Sequence, residues 1–179
     1  MGKTLLVYYS LTGLNETIAQ RIHEKYSIDL FNIHTTIDYP KSMYPCWGVV
    51  RSWRGVGSIP NHGEPLPNMD DLPTGIKNEL PNLSSYDNII IGGPVWGWTL
   101  SDPIMAYLTQ ADLSGKNIKA YWTCVDTDYN YENDLKEMLP EKSNYLAGLK
   151  IDSSIYGSKR RLDKVLDKLI KELVSYDVE

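Results

Sequence analysis

A three-layer α/β fold built on a parallel sheet is the class this sequence predicts, and three observations predict it. Short runs of β-branched and aromatic residues alternate with segments of helical period along the chain, which is the rhythm of βαβ units. The run Asn88–Ile91 is apolar throughout and meets Gly92-Gly93-Pro94, as expected of a strand buried on both faces. The last segment places Leu162, Val165, Leu166, Leu169, Ile170, Leu173 and Val174 at helical spacing, an apolar stripe that packs on a sheet.

The elements follow in order. Thr4–Tyr9 contains no breaker and reads as the first strand. Residues 14–26 put Ile18, Ala19, Ile22 and Tyr26 on one face, a helix. Ile28–Ile33 is the second strand and Asn88–Ile91 the third, with Gly92-Gly93-Pro94 as its expected stop. Asp102 before Pro103 predicts an N-cap and a first-turn proline for a helix over 103–110. Ile118–Cys124 and Tyr145–Ile151 are the fourth and fifth strands. Between them a helix around Tyr131–Leu139 is stopped by Pro140. Ser158 is the expected cap of the last helix. Residues 40–81 break this rhythm: they hold seven of the ten prolines, an irregular connection far longer than the usual ~2–6 residues. The expectation is one domain over residues 1–179 with that insertion, since ~150 residues is a typical domain.

Composition narrows the function. A net charge of −5 argues against nucleic acid as a partner. Cys46 and Cys124 form no CxxC, and His23, His34 and His62 lack metal-ligand spacing. No apolar run approaches ~18 residues and no signal-peptide core opens the chain, so the expectation is a cytoplasmic protein without a membrane span. Thirteen Tyr and five Trp stand against one Phe. Rings with a polar handle suit the rim of a planar ligand.

Ligands of parallel α/β sheets sit outside the carboxyl ends of the strands. After the first strand come Ser10, Leu11, Thr12, Gly13, Leu14, Asn15, Glu16 and Thr17, which match neither a Walker loop nor GxGxxG. Hydroxyls, an amide and a helix N-terminus favour an anion. No Lys or Arg lies between Lys3 and Arg21, so the donors are neutral; a plain capping turn is the alternative. After the third strand come Pro94, Val95, Trp96, Gly97, Trp98 and Thr99. The two indoles either stack on a planar ligand or roof the sheet.

The order SxTG, then YDNIIIGGPVWGW, then DLSGK leading into IKAYWTC, resembles the flavodoxin family, in the branch whose third strand ends in Gly-x-Pro-x-Trp. The resemblance implies a five-stranded parallel sheet of order 2-1-3-4-5 with helices on both faces, and non-covalent FMN. It implies that Ser10, Thr12, Gly13, Leu14 and Asn15 surround the 5′-phosphate, with Leu11 and Thr17 in the same loop. Pro94, Val95, Trp96, Gly97, Trp98 and Thr99 would flank the isoalloxazine. Residues 123–129, including Thr123, Asp126 and Tyr129, would line its other edge. Three departures stand out: Thr12-Gly13-Leu14-Asn15 where Thr-Gly-Asn-Thr is common, Trp-Gly-Trp where Trp-Trp-Gly is usual, and a third loop without glycine, where Tyr129 or Tyr131 either supplies a second ring or is a surface tyrosine. Six acids in 126–141 (Asp126, Asp128, Glu132, Asp134, Glu137, Glu141) against Lys136 alone either form a solvated acidic helix face or lower the potential of a bound flavin.

No catalytic or metal-binding residue is assigned. The function implied is an FMN-binding electron carrier serving redox partner proteins or a small acceptor. The alternative is an FMN-dependent NAD(P)H oxidoreductase acting on a quinone or similar acceptor, for which the long 40–81 connection argues.

Overall fold

A computed structural model describes residues 2–39, 74–96, 99–125 and 127–174. Strand β1 (Thr4–Tyr8) lies inside the sheet, with β2 (Asp29–Asn32) on one side and β3 (Asn88–Trp96) on the other. Beyond β3 come β5 (Asn117–Thr123) and β6 (Asn144–Ile151). These five strands are parallel in the order β2-β1-β3-β5-β6, the 2-1-3-4-5 arrangement expected. A sixth strand, β4 (Thr99–Leu100), pairs antiparallel with the end of β3. The helices are α1 (Leu14–Tyr26), α2 (Asp102–Gln110), α3 (Tyr131–Met138), the short α4 (Ser153–Tyr156) and α5 (Lys159–Val174).

Successive side chains of a strand point to opposite faces, and the core divides accordingly. Leu5, Val7, Ile89, Ile91, Ile118 and Ala120 meet Ile104, Met105 and Leu108 of α2 and Leu135 of α3. Leu6, Ile90 and Tyr121 meet Ile18 and Ile22 of α1 and Leu162, Leu166, Leu169 and Ile170 of α5. Each such fully buried aliphatic side chain contributes ~1.5–3 kcal/mol relative to exposure. Lys119 of β5 is also fully buried, and its Nζ donates to the carbonyl of Leu169 at 2.9 Å, a cation near the last turns of α5.

Two boundaries differ from expectation. Gly92-Gly93-Pro94 does not end the third strand, which continues to Trp96 with Gly92, Gly93 and Pro94 paired to Tyr121, Trp122 and Thr123. The glycines are packing gaps: a Cβ on Gly92 would lie 2.3 Å from Tyr121, and one on Gly93 2.6 Å from Ile104. Pro94 is tolerated because Gly92 gives its carbonyl to Tyr9 N–H (3.0 Å). Two residues on, the backbone faces the same side, where β1 has already ended. The cap of α2 is Ser101, whose carbonyl accepts from Met105 N–H, so Asp102 and Pro103 both sit inside the first turn.

The outer helices of one face are clamped by charge. Arg21 of α1 forks onto Asp163 of α5 (2.5 and 2.8 Å), and one turn on Asp167 takes both Lys25 and the Tyr26 hydroxyl. Hydrogen bonding from Arg21 holds the Asp163 carboxyl below its ordinary 3.8. Lys25 and then Tyr26 do the same for Asp167. The unfolded chain therefore binds protons that the native chain refuses, so this stabilisation is complete above the ordinary value and fades as pH falls below it. In urea titrations the double variant Asp163→Asn, Asp167→Asn is expected to be less stable than the parent near neutral pH. That gap is expected to close below about pH 4; a gap independent of pH would contradict the clamp. No helix among the described residues is long and apolar enough to cross a membrane.

Candidate functional site

The parallel order brings the ends of β1, β3 and β5 to one edge of the sheet, and with them three loops. The first runs from Tyr9 into α1. Gly13 sits at φ 90° in open space, so glycine is required there by backbone conformation rather than by packing. It occupies the N-cap position, and no side chain caps the helix. The N–H groups of Leu14, Asn15 and Glu16 have no acceptor within the helix, and they face the loop. Gly13 N–H donates to Ser10 Oγ at 3.1 Å, which shapes the turn. The Thr17 hydroxyl donates back to the Gly13 carbonyl at 2.9 Å and closes the first helical turn. Thr12 is exposed, Leu11 packs on one core face and Leu14 on the other. Asn15 turns inward, only 3% exposed, and its Nδ2 donates to Thr123 Oγ1 at 3.0 Å.

In the second loop, Pro94 and Thr99 are buried and Val95 is half-buried. Trp96 packs edge-on against Tyr9 (5.7 Å) and Tyr39 (5.0 Å), so this indole roofs the core rather than lying open. Gly97 and Trp98 lie outside the described residues. Val95 and Trp96 pair with Leu100 and Thr99. The Thr99 hydroxyl donates to the buried carboxylate of Asp134, which also accepts from Asn130 Nδ2 at 2.6 Å.

The third loop leaves β5 at Thr123, which is buried like Cys124 after it. Val125 and Tyr129 are about half exposed, and Tyr129 adopts φ 42°, an uncommon conformation for a bulky residue. Asp126 lies outside the described residues. Tyr131 is buried and stacked on Trp122 at 4.9 Å, which leaves Tyr129 as the loop's open ring. Of the five acids of this run among the described residues, three are engaged. Asp128 accepts from Trp122 Nε1 (2.6 Å) and faces Lys150 (3.6 Å). Glu132 takes Lys136 and the Tyr145 hydroxyl, and Asp134 is the buried clamp already described. His23 is tied to the Ile28 carbonyl, and no metal-binding cluster occurs among the described residues.

The insertion's return leg closes on the same edge. Tyr39 packs on Trp96, Thr35 bridges to Ile76, and Asn78 bonds His34 N–H and the Asn32 carbonyl, at 2.9 Å each; residues 40–73 lie outside the described residues. Sequence reasoning missed Asp134, Tyr121 and Gly92 as site-shaping residues. The one available signal was a pair of glycines inside an apolar strand.

Residues 3–169 match the flavodoxin family model, and the chain belongs to the flavodoxin family. Among solved structures it resembles a candidate flavoprotein of Bacteroides eggerthii (22% identity, TM-score 0.70, covering 95% of this chain and 99% of that one). A second, from Bacteroides uniformis, is 21% identical with TM-score 0.67 over 93% and 98% of the two chains. A flavoprotein of Lactobacillus acidophilus, solved in complex with FMN, is 21% identical with TM-score 0.62 over 87% and 97%. No curated protein matches the chain.

Proposed function

We propose that this chain binds FMN without a covalent link at the carboxyl ends of β1, β3 and β5, and serves as an electron carrier. The observation that carries the reading is the uncapped N-terminus of α1 behind a left-handed Gly13. Three backbone N–H groups and the hydroxyls of Ser10 and Thr12 form a cradle for a phosphate monoester, and the helix dipole adds ~0.3–1 kcal/mol per exposed charge. Family membership and the FMN complex of the Lactobacillus relative support the same cofactor.

In this reading Ser10, Thr12, Gly13, Leu14 and Asn15 hold the phosphate, the last two through their N–H groups. Pro94, Val95 and Thr99 bound the ring's pocket, Thr123 stands behind Asn15 at the edge of the third loop, and Tyr129 offers an aromatic face on the solvent side. The bound flavin supplies one- and two-electron transfer; the protein sets access and orientation.

A second reading, an NAD(P)H oxidoreductase acting on a small acceptor, is favoured by the long insertion, whose leading end at Tyr39 packs on Trp96 at 5.0 Å. A connection of that length at a ligand edge suits an enzyme better than a carrier with an open flavin edge.

The purified protein is expected to be yellow and to release FMN, identified by mass, after acid denaturation. A colourless protein that also fails to take up added FMN would overturn the reading. Anaerobic mixing with NADPH then separates the two: a carrier keeps its absorbance without a partner reductase, whereas an oxidoreductase bleaches.

A further inference from the structure

We infer that strand β5 sets the geometry of the phosphate cradle: Tyr121 and Thr123 are positioning residues that act on the ligand through Asn15. The inference rests on the FMN reading above and concerns residues that need not touch the cofactor.

Asn15 is the second residue of α1, and β5 grips it at two points. Its side-chain Nδ2 donates to Thr123 Oγ1 at 3.0 Å, and its backbone carbonyl accepts from the Tyr121 hydroxyl at 3.2 Å. Tyr121 is fully buried, and its ring reaches α1 across β3 only because Gly92 has no Cβ. Within a helix the N–H points toward the N-terminus and the carbonyl away from it. With side chain and carbonyl both held from below, the Asn15 N–H is aimed at the turn formed by Ser10–Gly13.

Alignment matters more here than in a cradle with a cation. No Lys or Arg lies between Lys3 and Arg21, so the loop's own donors are neutral, and their contribution depends on direction and on being fixed beforehand. Among the described residues Asn15 Oδ1 has no partner. A residue that merely filled space would carry no such buried acceptor, which points to the Thr123 bond as the reason for an amide at this position.

The test compares FMN with riboflavin, which lacks the phosphate, by titration into apoprotein. Tyr121→Phe removes one hydroxyl, Thr123→Val removes one acceptor at constant shape, and Thr123→Ser retains it. Tyr121→Phe and Thr123→Val are each expected to weaken FMN by about threefold to tenfold, the worth of one neutral hydrogen bond. Riboflavin affinity is expected to stay within about twofold, and Thr123→Ser is expected to keep the wild-type ratio. In the apoprotein, inorganic phosphate is expected to shift the amide resonances of Leu14, Asn15 and Glu16 less in the two weakened variants. An FMN-to-riboflavin ratio equal to wild type in both variants overturns the inference while leaving the FMN reading intact. So does a parallel loss of both ligands, which would make Thr123 an ordinary ring contact. Wild-type protein that binds neither flavin overturns the FMN reading, and the inference with it.

Discussion

Gly92→Ala is expected to destabilise the protein by about 3 kcal/mol, at the upper end of what overpacking costs. At this chain length that lowers Tm by roughly 6–12 °C. The added Cβ would lie 2.3 Å from Tyr121 Cζ and 2.5 Å from its Cε1 and hydroxyl, inside any permissible contact. Neither partner has room to yield. Tyr121 is fully buried in the core shared with α1 and α5, so its ring cannot swing to solvent. Strand β3 is paired on both sides, to β1 and to β5, so shifting its backbone breaks two ladders. Truncation of the partner removes the clash: in the background Tyr121→Ala, itself costing about 3–5 kcal/mol as a cavity, Gly92→Ala should add almost nothing. Urea denaturation of the four proteins in this cycle measures the coupling. Strict additivity, or wild-type stability for Gly92→Ala, would refute the account of this glycine.

The same glycine shows where reading the chain as a string reaches its end. Parallel strands and covering helices were legible because each leaves a periodic apolar signal: Ile89–Ile91 on both faces, and the Leu162–Leu173 stripe on one. The strand order followed from the family resemblance. The continuation of β3 to Trp96 was not legible, because glycine and proline mark a break locally while their use here, as gaps for Tyr121 and Ile104, depends on residues far away in sequence. Two-residue β4 carries no periodicity at all. The three loops of the candidate site were legible as loops, since topology alone puts them at strand ends. Directions of side chains were not. Thr17 bonds back to Gly13, Trp96 folds onto Tyr9 and Tyr39, and Tyr131 stacks on Trp122. The acidic run looked like an electrostatic field, yet Asp128, Glu132 and Asp134 each have a partner supplied by another element.

Asp134 is the member of that run whose loss should be felt most. Asp134→Ala is expected to cost about 3 kcal/mol in stability. The carboxylate is 6% exposed and accepts from the Thr99 hydroxyl and Asn130 Nδ2 at once. Its removal strands two polar groups at about 1–3 kcal/mol for each that stays buried and unsatisfied. Asp134→Asn preserves volume and one acceptor, and should fall between the two. The consequence for the site differs from that of the β5 strut. Thr99 lies on β4, which pairs with β3 through Val95–Leu100 and Trp96–Thr99, so releasing it loosens the second loop and leaves the turn at Gly13 untouched. FMN and riboflavin affinities should therefore fall by the same factor in Asp134→Ala, because the loss is on the ring side of the ligand. A fall confined to FMN would mean that Asp134 acts on the phosphate cradle. Unchanged stability together with unchanged affinity for both would mean that β4 is held by something other than α3.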